Sequence, residues 1–144
     1  MILPDVNVLI YAFRRDVVQH RIARDALNSL LAGDARFGIS PLALSALVRV
    51  TTHARPNAEP SPLEDAFGFC EDIYAQENCQ IVTPGDRHWS IFKRLCVETN
   101  TRGPKVSDAW FAALAIEWGC EWVTFDRDFR RFPDLKCTIL ESRP

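Results

Sequence analysis

A chain of 144 residues and 16.4 kDa can bury about two thirds of the surface its unfolded form exposes, which favours one domain over residues 1–144 with no need of covalent staples. Hydrophobic residues at 47% and charged residues at 25% exclude disordered and fibrous classes. Seventeen Lys and Arg against 19 Asp and Glu leave a formal charge of −2, so any anionic partner must be met by a local basic patch and not by a global field.

Met1–Pro4 reads as a short buried strand ending at Asp5, followed by a helix over Asn7–Phe13. Ile22, Ala23, Ala26, Leu27, Leu30 and Leu31 recur at three- and four-residue steps and predict a second helix stopped by Gly33. Arg36–Ile39 is a second strand. Ser40-Pro41 supplies an N-cap and a proline at the first helical position, opening a helix to about Thr52. After an irregular stretch at His53–Ser61, Ser61-Pro62-Leu63-Glu64 predicts a capping box and a helix to about Gln76. Cys79–Thr83 is β-prone and ends at Pro84-Gly85, after which Asp86 is placed to cap a helix over Arg87–Thr99. Asn100–Lys105 is a loop. Ser107 is placed to cap a helix whose Ala109, Ala112, Ala113 and Ile116 form a narrow stripe before Gly119. A strand at Glu121–Phe125, a helical turn at Asp128–Phe132 and a strand at Cys137–Leu140 complete the chain. Strands separated by helical crossovers imply an α/β/α sandwich with a mostly parallel sheet of four to five strands.

The five cysteines are odd in number and contain no C-x-x-C pair, which argues against a disulfide framework and against a zinc site. The opening residues lack the order of a secretory signal, and no apolar run approaches the ~20 residues needed to span a bilayer, so a cytoplasmic protein is expected.

Open parallel sheets bind ligands beyond the carboxyl ends of their strands. Asp5 falls there after the first strand and Asp126 after Trp122-Val123-Thr124-Phe125. Asp108, in the first turn of its helix, can face the same edge, and Asp128 can join or flank the group. Each acid alone is accounted for by capping or by a solvated turn; their shared edge is what points to chemistry. Two carboxylates about 4 Å apart repel by about 4 kcal/mol at an effective dielectric of 20, so a cluster needs protons or a cation. A histidine-free, all-oxygen set suits Mg²⁺, with Mn²⁺ a possible substitute, and not zinc. The matching chemistry is metal-dependent hydrolysis of a phosphodiester.

Four blocks carry a family resemblance: I-L-P-D-V-N-V-L-I-Y-A, P-G-D-R-H-W, V-S-D-A-W-F-A-A-L-A-I-E-W-G-C and V-T-F-D-R-D-F-R-R-F-P. Together they resemble the PIN-domain family, and within it the VapC-type toxins of bacterial toxin–antitoxin pairs, over nearly the whole chain. The resemblance implies an Mg²⁺-dependent endoribonuclease that cuts structured RNA (tRNA or rRNA), inhibits translation and is restrained by a cognate VapB antitoxin. It also implies that Asp5, Asp108 and Asp126 are the catalytic, metal-binding acids, that Asp128 is an auxiliary catalytic acid, and that Asn7 and Thr124 orient them. The chain departs from the family pattern at Ala46, where a Glu is common. Glu59 and Glu64 are the nearest acids that could stand in, although loop surface and the capping box account for them.

Arg14, Arg15, Arg49, Arg55, Arg102, Lys105 and Arg127 flank the acidic edge and form a candidate phosphate-seating rim. Trp89 and Trp110 are candidates for base stacking or core packing, and His88 reads as a helix start more than a base. Leu42, Leu44, Leu47 and Val48, with Phe67, Phe69, Ile73 and Tyr74, exceed what a small core needs and suggest a homodimer interface. Two rival readings remain. Ala46 motivates a non-catalytic module that binds RNA or the antitoxin. A phosphoacceptor signalling domain also gathers acids at strand ends, but it carries an acidic pair after the first strand, where Asp5 stands alone, and a lysine that Lys136 is poorly placed to supply.

Overall fold

The computed structural model describes residues 1–141, so the last three residues of the expected 1–144 span lie outside the described residues. Five strands, β1 (Ile2–Pro4), β2 (Phe37–Ile39), β3 (Cys79–Ile81), β4 (Glu121–Thr124) and β5 (Cys137–Ile139), form one sheet in the order β3-β2-β1-β4-β5. Every pairing is parallel. Six helices flank the sheet: α1 (Val6–Phe13), α2 (His20–Ala32), α3 (Pro41–Thr52), α4 (Leu63–Tyr74), α5 (His88–Thr99) and α6 (Val106–Trp118). This is the expected α/β/α sandwich, with all five strands within two residues of their sequence-based bounds.

The central strands β1 and β2 are short and apolar because helices cover both faces of a parallel sheet, whereas the edge strands β3 and β5 are only partly buried. Leu3, Phe37, Ile39 and Trp122 are fully buried at its centre. The expected narrow stripe of α6 is wider in the structure: Ala109, Ala112 and Ala113 are buried as expected, but so are Phe111, Leu114 and Ala115, while Ile116 is only partly buried. Gly119 ends that helix at φ 66°, where its amide bonds back to the helix.

The helix starts differ from the capping signals. Ser40 occupies the N-cap position of α3, but its hydroxyl is buried without a partner. The capping box at Ser61 does not form, because extended Pro62 takes the cap position of α4 and its carbonyl accepts from Asp65 and Ala66 N–H. Asp86 does not cap α5. The Glu117 carboxylate of α6 instead holds the turn that leads into α5, accepting from Gly85 N–H at 2.7 Å and Arg87 N–H at 2.9 Å. Ser107 lies inside α6, after a 3₁₀ turn at Gly103–Lys105, and donates to the Pro104 carbonyl.

Gly38 shows how tightly the sheet is covered. A Cβ there would stand 2.7 Å from Val82 Cγ2 and 3.3 Å from Leu3 Cδ1. Gly38→Ala should therefore lower the unfolding free energy by about 1–3 kcal/mol through overpacking, measured by urea denaturation; an unchanged midpoint would mean that this contact is loose.

Candidate active site

The strand order reverses beside β1: the chain runs outward from β1 through β2 to β3 on one side, then returns to place β4 on the other. Such a switch point opens a crevice at the carboxyl ends of the two central strands. Asp5 follows β1 directly, and its N–H donates to the Val123 carbonyl of β4 at 2.8 Å, locking the two strand ends together. Asp126 follows β4 by two residues, and Asp108 lies in the first turn of α6. Asp5, Asp108 and Asp126 line one cavity of about 360 Å³ together with Asn7, Tyr11, Arg14 and Arg55.

Thr124 is the hub of this arrangement. Its fully buried hydroxyl donates to Asp5 Oδ2 at 2.6 Å and accepts from Asn7 Nδ2 at 3.2 Å and from the Asp126 N–H at 3.0 Å. A hydroxyl has one donor and two acceptor sites, and all are used. Asn7 Oδ1 accepts from Phe125 N–H at 3.3 Å, tying the first turn of α1 to the segment after β4. Asp126 Oδ1 accepts from the Asp128 N–H at 2.9 Å, which fixes the Asp126 carboxylate in a turn. The side chain of Asp5, at the N-cap position of α1, serves Thr124 and does not cap its helix.

The electrostatics follow from burial. Asp5 is 8% exposed, and desolvation pushes its carboxyl up to about 6 against the pull of the Thr124 hydrogen bond. The Asp108 charge raises it further. Asp108 is also raised by desolvation, offset in part by Arg131, whose Nη2 stands 3.7 Å from Asp108 Oδ2. Arg131 is itself held: Nη1 donates to the Asp128 carbonyl at 2.8 Å and the guanidinium stacks 4.1 Å from the Phe132 ring centre. Arg131 is absent from the candidates that the sequence suggests. Its signal there is only the basic cluster of D-R-D-F-R-R, and the 3₁₀ turn at Arg127–Arg131 is what turns this residue back to Asp108.

Of the four acids singled out by sequence, three share the cavity. Asp128 does not line it; its exposed carboxylate pairs with Lys105, which holds it below the ordinary carboxylate range, and its contribution to the site is the backbone N–H on Asp126. Among the described residues no three Asp, Glu, His or Cys side chains stand close enough to form a ready cation cage. The expected tight convergence is therefore corrected to a shared cavity. Mutual repulsion and the pull of Arg131 on Asp108 both act to separate the carboxylates.

Ala46 lines an adjoining cavity with Asp5, Asp108 and Arg49, so the position where the family pattern carries Glu does face the acids. Neither Glu59 nor Glu64 lines either cavity, and neither takes over that role here. Among the basic candidates, Arg14, Arg49 and Arg55 line the acid cavities. Lys105 is paired with Asp128, Arg127 donates to Glu141 at 2.7 Å and Arg102 donates to Asn100 Oδ1 at 3.0 Å. His88 is buried at the start of α5, with Nε2 3.0 Å from the Trp110 carbonyl and its ring against Trp110, a structural role.

A PIN domain model matches residues 2–135, and the chain belongs to the PIN-domain family, as the four sequence blocks suggest. Its place within that family is among the VapC proteins. It is 40% identical over 136 residues to Ribonuclease VapC25 of Mycobacterium tuberculosis, covering 94% of this chain and 96% of that protein. To Ribonuclease VapC31 of the same species it is 38% identical over 136 residues, with 94% and 96% covered. The fold is similar to that of VapBC2 from Rickettsia felis, solved bound to a DNA fragment from their promoter, with a TM-score of 0.73 at 18% identity over 98% of this chain and 100% of that one. It is also similar to Mycobacterium tuberculosis VapC20, described as a sarcin–ricin loop cleaving toxin, with a TM-score of 0.64 at 16% identity over 94% and 98%.

The burial of Asp5 has a measurable consequence in protein kept metal-free with EDTA. An unfolded Asp ionises near pH 3.8, whereas folded Asp5 retains its proton to about pH 6. Between those values the folded state binds more protons, so stability falls as pH rises, and above about 6 the penalty is complete. Asp5→Asn removes the titration. Its stability relative to wild type should rise by roughly 2–3 kcal/mol between pH 4 and pH 7, measured by urea denaturation at each pH; a difference independent of pH would put Asp5 in solvated surroundings.

Proposed function

We propose that this protein is an Mg²⁺-dependent endoribonuclease toxin, with Mn²⁺ able to replace Mg²⁺. It hydrolyses phosphodiester bonds in structured RNA (tRNA or rRNA), inhibits translation and is neutralised by a VapB-type antitoxin. What carries the reading is one cavity at the switch point of a parallel sheet, lined by three carboxylates from β1, α6 and the end of β4 and organised by a fully used threonine hydroxyl. The ribonuclease names of relatives at 38–40% identity support it.

The donor set fits a hard cation. All available ligand atoms are oxygens, and Mg²⁺ commonly binds through one or two carboxylates while keeping several waters, so a wide acid cavity serves it without a closed cage. Asp5, Asp108 and Asp126 are the residues that would hold it, supplying Lewis acidity that eases deprotonation of water at neutral pH and offsets charge growing on the phosphate oxygens. The chain's own groups then act as follows. Thr124 fixes Asp5 Oδ2 and the Asp126 backbone in one geometry. Arg131 offsets the Asp108 charge and orients that carboxylate. Arg49 and Arg55, on the cavity walls, meet the incoming phosphate.

The direct test is cleavage of total RNA by purified protein with Mg²⁺, with thermal unfolding as a second readout. Thr124→Val removes an orienting group and should cost about 10–100-fold in rate, and Asp5→Asn and Asp108→Asn at least as much. Mg²⁺ should raise the unfolding midpoint of wild type but not of the two Asp variants, because a ligand that binds only the native state stabilises it. If both Asp variants cut RNA like wild type, the acid site is not the active site. RNA bound without being cut would favour the non-catalytic reading that Ala46 motivates.

The same family reading includes a homodimer. Leu44, Leu47 and Ile73 of the apolar set are buried in the core, but Leu42, Phe67 and Tyr74 remain exposed. Leu44, Val48, Phe67 and Tyr74 line a groove of about 760 Å³ between α3 and α4. We assign this face to self-association. Light scattering at micromolar concentration should report twice 16.4 kDa and Phe67→Glu should shift it to the monomer; a wild-type monomer would remove the assignment.

A further inference from the structure

We infer that Arg14 is a substrate-binding residue whose guanidinium takes a phosphodiester flanking the one presented to the three carboxylates. The inference rests on the ribonuclease reading and adds the path that the RNA backbone follows away from the acids.

Arg14 closes the C-terminal end of α1, the helix that begins at Asp5 and carries Asn7. It is 8% exposed, yet among the described residues its guanidinium makes no hydrogen bond and no ion pair. The buried side-chain nitrogens that lack a partner do not include those of Arg14, so its aliphatic stem is covered while the guanidinium reaches the cavity surface. None of the cavity acids comes within ion-pair distance of it. Arg131, by contrast, donates to the Asp128 carbonyl and pairs with Asp108 at 3.7 Å, and its Nη2 is buried. Arg14 therefore has an unused planar fork of donors, which suits bidentate binding of a phosphate.

Its position says which phosphate. Arg14 lines the cavity of Asp5, Asp108 and Asp126, and it also lines a neighbouring cavity of about 540 Å³ with Arg15, His20 and Arg24. It is the wall between the two. Asp16 and Asp65 also face the second cavity, so its formal balance is three arginines against two aspartates with His20 neutral. One cation at the boundary and more beyond it make a track for a repeating polyanion, where a lone protein carboxylate would need only one. Base identity plays no part, because phosphate contacts position a strand without reading its sequence.

The test uses a fluorescein-labelled, mixed-sequence single-stranded 12-nucleotide RNA and fluorescence anisotropy in EDTA, where cleavage is off, followed by cleavage of the same RNA with Mg²⁺. Arg14→Met should weaken binding about tenfold and reduce the slope of log affinity against log salt by about 0.7, the value for one phosphate on a single strand. Arg14→Lys should keep the salt slope with an intermediate affinity, because it keeps the charge and loses the fork. The unfolding midpoint of Arg14→Met should match that of wild type, since no hydrogen bond or ion pair of Arg14 is lost; a structural arginine would lower it. Unchanged affinity and slope in folded Arg14→Met, or no RNA binding by wild type, overturns the inference. So does intact RNA binding combined with lost antitoxin binding, which would assign the guanidinium to a protein carboxylate. If wild type binds RNA through Arg14 but never cuts it, the inference stands and the ribonuclease reading falls.

Discussion

Asp5 is an ionisable group at the end of a central strand, and the rest of the site is arranged around the cost of keeping it there. Parallel strands with helices on both faces exclude water from the sheet, so a carboxylate that directly follows β1 loses most of its hydration. The hydroxyl of Thr124, on the neighbouring strand β4, restores one strong hydrogen bond, and the same hydroxyl receives the Asp126 N–H and the Asn7 amide. One buried oxygen thus couples the ends of two strands to the start of a helix. A change in the β1–β4 register would break the bonds to Asp5 and to Asn7 together.

Charge is balanced incompletely, and the imbalance is local. Arg131 relieves Asp108, and Lys105 relieves Asp128 at the surface, but Asp5 is met by neutral groups, chiefly the Thr124 hydroxyl. The cavity therefore keeps negative potential beside the Arg14 guanidinium, which has no protein partner among the described residues. A site with unpaired charge of both signs suits a ligand that brings both signs. Full internal pairing would give a more stable protein and a less reactive one.

The helix termini show how a local signal can be right about place and wrong about means. Helices α3, α4 and α5 start within two residues of where Ser40, Ser61 and Asp86 suggest, yet none of those side chains caps its helix. In the turn leading into α5 the Gly85 and Arg87 N–H groups are satisfied by Glu117, which belongs to a helix some thirty residues away in sequence. Backbone donors must be satisfied somewhere, but the partner need not be near in sequence, and packing of α5 on α6 supplied a better one.

The alternation of short apolar runs with amphipathic segments was enough to determine the element order and the parallel sheet, because hydrophobic periodicity and the need for crossovers are properties of the chain itself. The placement of Asp5 and Asp126 at strand ends, and of Asp108 at a helix start, was legible for the same reason, with Asn7 and Thr124 following from the family pattern. Only the folded molecule decided how those acids are held. The separation of the three carboxylates, the removal of Asp128 to a surface pair, the recruitment of Arg131 and the placing of Arg14 between two cavities all depend on where side chains come to rest between distant segments. Electrostatic and hydrogen-bond energies change steeply over a few ångströms and with depth from water, and residue order does not encode those distances directly.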